Sequence, residues 1–194
     1  MRETARLLAI LAGMLLAACG QPPESRPIAS VDEIHALEKA IVELGPDVDL
    51  GEAARAAKIA YEYTRELAIA YEITDPPLIH NTKVNMGLRP RGLCWHWAED
   101  VEKRLLAEKF ETLDILRAIA NADRQFRIDH STALVAAKGD TIHDAIVIDP
   151  WRFGGTLFWS ETNADTRYKW VPQADVLEWK LQQFLAEGQI PQPS

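Results

Sequence analysis

Three residues carry the chemistry this sequence can support: Cys94, His130 and Asp149. A thiolate is a nucleophile, an imidazole moves the proton, and a carboxylate orients the imidazole and stabilises its charged form. Cys94 stands in RGLCWHWAEDV, residues 91–101, just after Gly92. Cys94, Ala98, Val101 and Leu105 recur at i, i+4, i+7 and i+11, a stripe that predicts a helix opening at the cysteine. Unpaired N–H groups and the positive end of the helix dipole favour a thiolate at such a position.

His130 begins the β-prone run HSTALVAA and Asp149 ends a second, IHDAIVID. Lys138-Gly139-Asp140-Thr141 between them reads as a hairpin turn. A symmetric turn pairs Ala137 with Ile142 and sets His130 opposite Asp149, with Cβ atoms about 5 Å apart. A one-residue slip would send the two side chains to opposite faces.

Each residue also has a plainer use. Free cysteine is among the most buried residue types, and Asp before Pro150 is a common turn former. His130 can serve as a strand-end histidine bonded to backbone. It is their order, and their opposition across one hairpin, that favours chemistry. His143 is the alternative third residue, although the symmetric register turns it toward Ala136. His96 lies about 200° around the helix from Cys94, which makes it a structural or surface-facing polar residue. A metal site from Cys94, His96 and His130 is disfavoured, because no pair has the short loop spacing typical of zinc. Most of the six tryptophans suit packing, with Trp151 placed to line a cleft beside Asp149.

The elements that must position these residues follow from pattern and punctuation. Ser30 to Glu33 has capping-box spacing, and Ile34, Leu37, Ile41 and Leu44 continue it as a helix ended by Gly45-Pro46. A second helix runs from near Asp49 to about Tyr71, stopped by Asp75-Pro76-Pro77. Residues 77–92 read as irregular. Residues 112–120 fit strand and helix comparably, since Arg117 breaks the alternation. Short strands are expected at 156–159 and 168–171. A closing helix is expected at 174–185, with Val176, Leu177, Leu181 and Phe184 on its buried side. Helices first and strands after argue for an α+β domain with an antiparallel sheet.

The ends bear on location. Residues 1–18 form a short basic start and a twelve-residue apolar run, too short to span a bilayer but of secretory length. Leu16-Ala17-Ala18-Cys19 resembles the lipobox of bacterial lipoproteins, which implies removal of 1–18 and lipidation of Cys19. Gly20 at the next position favours the outer membrane, with the domain facing the periplasm or the cell surface. Residues 19–29 then form a flexible tether, 30–187 a single domain and 188–194 a disordered tail. Removing 1–18 deletes Arg2, Arg6 and Glu3, so the net charge of −8 becomes −9. That acidity disfavours nucleic acid and anionic headgroups, leaving membrane attachment to the lipid alone. With Cys19 acylated, Cys94 has no partner within the chain.

A helix-opening cysteine, a histidine starting a hairpin and Ile148-Asp149-Pro150 closing it resemble the transglutaminase-like branch of the papain-like thiol enzymes. The resemblance spans about residues 92–152. It implies a helical part packed on an antiparallel sheet, Cys94 as nucleophile, His130 as base and Asp149 as the third member, with no cofactor. The spacing of His130 and His143 resembles the paired histidines of NlpC-type cell-wall peptidases, a related branch. The Cys94 backbone N–H is the natural first oxyanion donor. Asn81 and Asn85 are candidates for the second, although papain-type spacing would put an amide nearer to Cys94. Trp95-His96-Trp97 departs from any signature tied to one activity. The implied reaction is acyl transfer or hydrolysis at amide or isopeptide bonds through a thioester. From the address, the substrate class would be envelope peptides or peptidoglycan stems. The alternative is a non-catalytic envelope lipoprotein that binds a partner or scaffolds, with Cys94 structural; a Cys94-linked dimer is a further possibility.

Overall fold

The computed structural model describes residues 22–187. Cys19 and the 1–18 and 188–194 segments lie outside the described residues. The order of elements is α1 (Val31–Val42), α2 (Leu50–Ala70), α3 (Pro77–Asn85), α4 (Cys94–Leu106), β1 (Leu113–Ala120), β2 (His130–Ala137), β3 (Ala145–Asp149), β4 (Phe158–Glu161), β5 (Val171–Pro172) and α5 (Gln173–Ala186). The strands form one antiparallel sheet in the order β4-β3-β2-β1-β5. The protein is therefore α+β, helices before strands. Among the described residues no helix is long and apolar enough to cross a membrane.

Alternation along the central strands builds two cores. Ala133 and Val135 of β2, with Ile146 and Ile148 of β3, pack under Leu37, Ala57, Leu67, Trp97 and Leu105 from α1, α2 and α4. Leu134, Ala136, Ala145 and Val147 face the other way and share a smaller core with Trp170. Ser30 and Glu33 form the expected capping box of α1, and Asp49 caps α2 by accepting the Glu52 N–H. Burial on two faces explains why β2 and β3 read as near-continuous apolar runs.

Some expectations are corrected and one left open is settled. Residues 77–85 form a helix, α3, started by Pro77 at its first position, where a proline's missing N–H costs nothing. Residues 113–120 are strand, and Arg117 sits comfortably there because its guanidinium reaches Glu102 of α4 at 2.8 Å and the Ser131 hydroxyl at 2.9 Å. The helix at 173–186 buries only Val176; Leu177, Leu181 and Phe184 are exposed. That helix lies at the sheet margin over β1 and the two-residue β5, too narrow a platform to cover a full apolar stripe. The described start of the expected tether, residues 22–29, makes contacts with α2. Arg65 donates to the Pro23 and Glu24 carbonyls at 3.0 and 3.1 Å, and Pro23 is buried.

The hairpin connection is longer than four residues, because 142–144 form a 3₁₀ turn. Ala136 pairs with Ala145 and Ala133 with Ile148, two residues away from the symmetric register. A shift of two leaves every side chain on its expected face, since the period of a strand is two.

Candidate active site

Cys94 is the first residue of α4. Leu93 precedes it at a position that favours Ser, Thr, Asp or Asn, and leucine has no oxygen to cap with. His96 supplies the reciprocal half of a capping box: its Nδ1 accepts the Gly92 and Leu93 N–H groups at 3.1 and 3.2 Å. Burial, then the nearby Arg91 charge, lower the His96 pKa, consistent with a neutral ring acting as acceptor. That lone pair is occupied, so His96 is a structural cap, as its angle from Cys94 suggested. Trp97 closes the same turn, its Nε1 donating to the Gly92 carbonyl at 3.1 Å. Gly92 has φ +124°, and a Cβ there would lie 2.4 Å from His80 Nε2. Only glycine fits, because the His80 ring is held in place by its Nε2–H donating to the Arg91 carbonyl, 2.8 Å away.

His130 and Asp149 meet at the open end of the hairpin. His130 Nε2 lies 2.7 Å from Asp149 Oδ2, with both side chains almost fully buried. In the observed register they are diagonal neighbours on one face rather than directly opposed. His130 Nδ1 is buried and has no hydrogen-bond partner. Burial alone would lower the pKa of this imidazole; the charge and hydrogen bond of Asp149, helped by Cys94, outweigh it and raise the value to about 9. Burial likewise pushes Asp149 up, but His130 and then Arg152 hold it below the usual carboxylate range. The Cys94 thiol, 6% exposed, donates to the Asp129 carbonyl at 3.4 Å. That carbonyl belongs to the residue preceding His130.

Residues that the motif did not identify complete the surroundings. Arg152 Nε donates to Asp149 Oδ2 at 2.9 Å, and its backbone N–H to Oδ1 at 3.1 Å. Its two terminal nitrogens then engage Asp165 at 3.2 and 2.5 Å, and Asp165 also accepts from Trp170 Nε1 at 2.9 Å. Trp151, Tyr168 and Trp170 lie around the His130 ring with centroids 4.7, 4.6 and 5.3 Å away. Aromatic faces attract a cation, so this cage favours the imidazolium. In the sequence, Arg152 was visible only as the residue three after Asp149, the reach of a turn. Asp165, Tyr168 and Trp170 are brought in from a segment whose turns carry no motif.

The weaker candidates separate clearly. Asn81 is buried on α3 and its Oδ1 accepts Trp151 Nε1 at 3.1 Å. Because an indole only donates, the Asn81 amide N–H₂ is left as the free end of that side chain. Asn85 is exposed in the last turn of α3. His143 is a correction to the alternative: it does not face Ala136, which pairs with Ala145, but is exposed in the 3₁₀ turn. That turn closes the hairpin at the end opposite to His130, so His143 is not a third member. Among the described residues no group of three or more His, Cys, Asp or Glu is disposed to hold a metal. A cleft of about 450 Å³ is lined by Arg26, Tyr61, Thr64 and Gly155, and another of about 190 Å³ by Asn121, Lys169 and Trp179; neither is lined by Cys94. Comparisons of the chain with protein-family models, with curated proteins and with solved structures found no match.

Proposed function

We propose that the protein is an envelope-anchored lipoprotein whose domain, built along papain-like lines, uses Cys94, His130 and Asp149 for acyl transfer or hydrolysis at amide or isopeptide bonds. One observation carries the reading: a buried imidazole bonded to a carboxylate through Nε2, with Nδ1 unpartnered and Cys94 among the groups that raise its pKa. His80 also has a buried Nδ1 without a partner, so what separates His130 from a structural histidine is the buried carboxylate on its other nitrogen together with the influence of Cys94.

With a pKa of about 9, His130 is protonated at neutral pH and can stabilise a Cys94 thiolate. The thiolate adds to the substrate carbonyl carbon; a C–S bond forms and the π electrons move to oxygen. The Cys94 N–H, one of the first-turn donors that no helical carbonyl takes, faces that oxyanion, and the Asn81 amide is the second donor in this scheme. Collapse breaks the C–N bond while His130 gives its proton to the leaving amine. Neutral His130 then takes a proton from water, or from an acceptor amine, as it attacks the thioester. Expulsion of the thiolate restores the starting pair. Water makes the protein a peptidase or amidase, and an amine a transglutaminase-like enzyme; the proposed substrates are envelope peptides or peptidoglycan stems. No metal or cofactor enters the scheme. Asp149 keeps the ring in one orientation and offsets its charge, as the carboxylate of a triad does.

The competing reading is a scaffold or partner-binding lipoprotein with a structural Cys94, favoured by the thiol's low exposure and its bond to the Asp129 carbonyl. Iodoacetamide alkylation in the full chain carrying Cys19→Ser, where Cys94 is the sole thiol, separates the two. Rapid alkylation at pH 6–7 that His130→Ala abolishes supports the enzyme. A thiol that reacts only on unfolding leaves the scaffold.

A further inference from the structure

The turn that carries the site is held by a residue far away in sequence. After Asp149 the chain folds back through residues 150–155, with the Gly154 N–H donating to the Trp151 carbonyl and the Gly155 N–H to the Pro150 carbonyl, both at 2.9 Å. This turn displays Trp151 against the His130 ring and Arg152 against Asp149. Gly154 and Gly155 have φ +60° and +89°. A Cβ on Gly155 would lie 2.8 Å from Ala68 Cβ and 3.4 Å from Trp97 Cη2, and one on Gly154 would lie 3.3 Å from the Asp75 carbonyl oxygen. The turn is thus wedged between α2, α4 and the segment leading into α3.

Arg26, in the segment before α1, closes the wedge. Its Nη1 donates to the Gly154 carbonyl at 2.5 Å and its Nη2 to the Ile73 carbonyl at 3.0 Å. One planar guanidinium therefore joins the turn bearing Trp151 and Arg152 to the segment leading to Asn81. Trp151 and Asn81 are themselves hydrogen-bonded. A fixed fork of donors suits two carbonyls at once, which a lysine ammonium matches poorly.

We propose that Arg26 is a positioning residue for the Cys94–His130–Asp149 site, acting through the 150–155 turn. The idea rests on the thiol–imidazole reading above, and it gives residues 22–29 a use beyond linking the domain to Cys19. The titratable and charged groups around His130 are Cys94 from α4, Asp149 from β3 with Arg152 and Asp165 behind it, Tyr168 from the segment before β5, and its neighbour Asp129. Arg26 acts on them by holding the backbone that presents Trp151 and Arg152.

The test uses the full Cys19→Ser chain in detergent, with Arg26→Ala, Arg26→Lys and Arg65→Ala. Arg65 docks the same segment, through Pro23 and Glu24, but has no bond to the turn. Two quantities are read: the His130 titration midpoint by NMR, and the iodoacetamide rate of Cys94 at pH 7. Arg26→Ala should lower the midpoint by about one unit or more and slow alkylation about tenfold, the kind of loss a small misplacement causes. Arg26→Lys should recover part of both, and Arg65→Ala should stay within a factor of two of the parent. A parent-like midpoint in Arg26→Ala overturns the proposal, as does an equal effect from Arg65→Ala. Should Arg26→Ala fail to fold, the lysine variant decides, and an unshifted midpoint there overturns it. If parent alkylation proves independent of His130, the thiol reading fails while the midpoint still decides the role of Arg26.

Discussion

His130 Nε2 and Asp149 Oδ2 lie 2.7 Å apart, although the two residues do not pair directly across the hairpin. The diagonal contact survives because both side chains stay on one face and are long enough to bridge the offset. Its removal should be felt at the thiol. Asp149→Asn keeps the shape but loses the charge that most strongly favours the imidazolium. Alkylation of Cys94 at pH 7 should fall tenfold or more in His130→Ala, and by roughly the same order in Asp149→Asn. Rates equal to the parent in both variants would show that no ion pair activates Cys94.

The same pair makes stability depend on pH. The folded pKa of His130, about 9, is above its ordinary 6.5, so its contribution is fully present below pH 6.5 and is lost as pH rises through 9. Asp149 has the opposite sense: its folded pKa is depressed from 3.8, so its contribution is present above that value and lost on further acidification. Urea unfolding at pH 6 and pH 10 should show the parent losing more stability than His130→Gln across this interval. Equal losses in the two proteins would contradict the assignment.

Arg152 neutralises two carboxylates that are themselves out of water, with side-chain exposures of 3% for Arg152, 1% for Asp149 and 2% for Asp165. Removing one member of such a group leaves buried charge uncompensated, at a cost of about 3–5 kcal/mol. Arg152→Ala should therefore lower stability on that scale in denaturant titration. Arg167→Ala, on the surface beside it, should change stability by less than about 0.5 kcal/mol. A near-neutral Arg152→Ala would mean that water enters the network.

Gly92→Ala places a methyl group 2.4 Å from His80 Nε2 in a backbone region that disfavours side chains. Strain and overpacking together should cost at least about 2 kcal/mol, seen as a lowered Tm. The turn that starts α4 would shift with it, so Cys94 alkylation in the folded state should lose its dependence on His130. Gly139→Ala is the contrast, since its φ of +88° also lies in the region that disfavours side chains but nothing lies within 4 Å of the added Cβ. It should destabilise less and leave Cys94 unaffected.

The sequence by itself determined the local parts of this protein. Capping residues and apolar spacing place α1, α2 and α4, and β-prone runs place β2 and β3, because these signals act within one or two turns of chain. The three candidate residues were legible for the same reason: each sits at the end of an element with a clear start or stop. The length of the hairpin connection was misjudged, yet the period of two kept His130 and Asp149 on one face, so the relationship was robust to the error. Residues 113–120 became strand because pairing with β2 on one side and β5 on the other settled what weak local preference could not, whereas 77–85 became a helix started by Pro77 that buries only His80 and Asn81. Arg152, Asp165, Tyr168, Trp170 and Arg26 were decided by tertiary structure alone. Their roles arise from hydrogen bonds, charges and ring contacts between segments up to 128 residues apart, and no spacing rule along the chain encodes a distance across it.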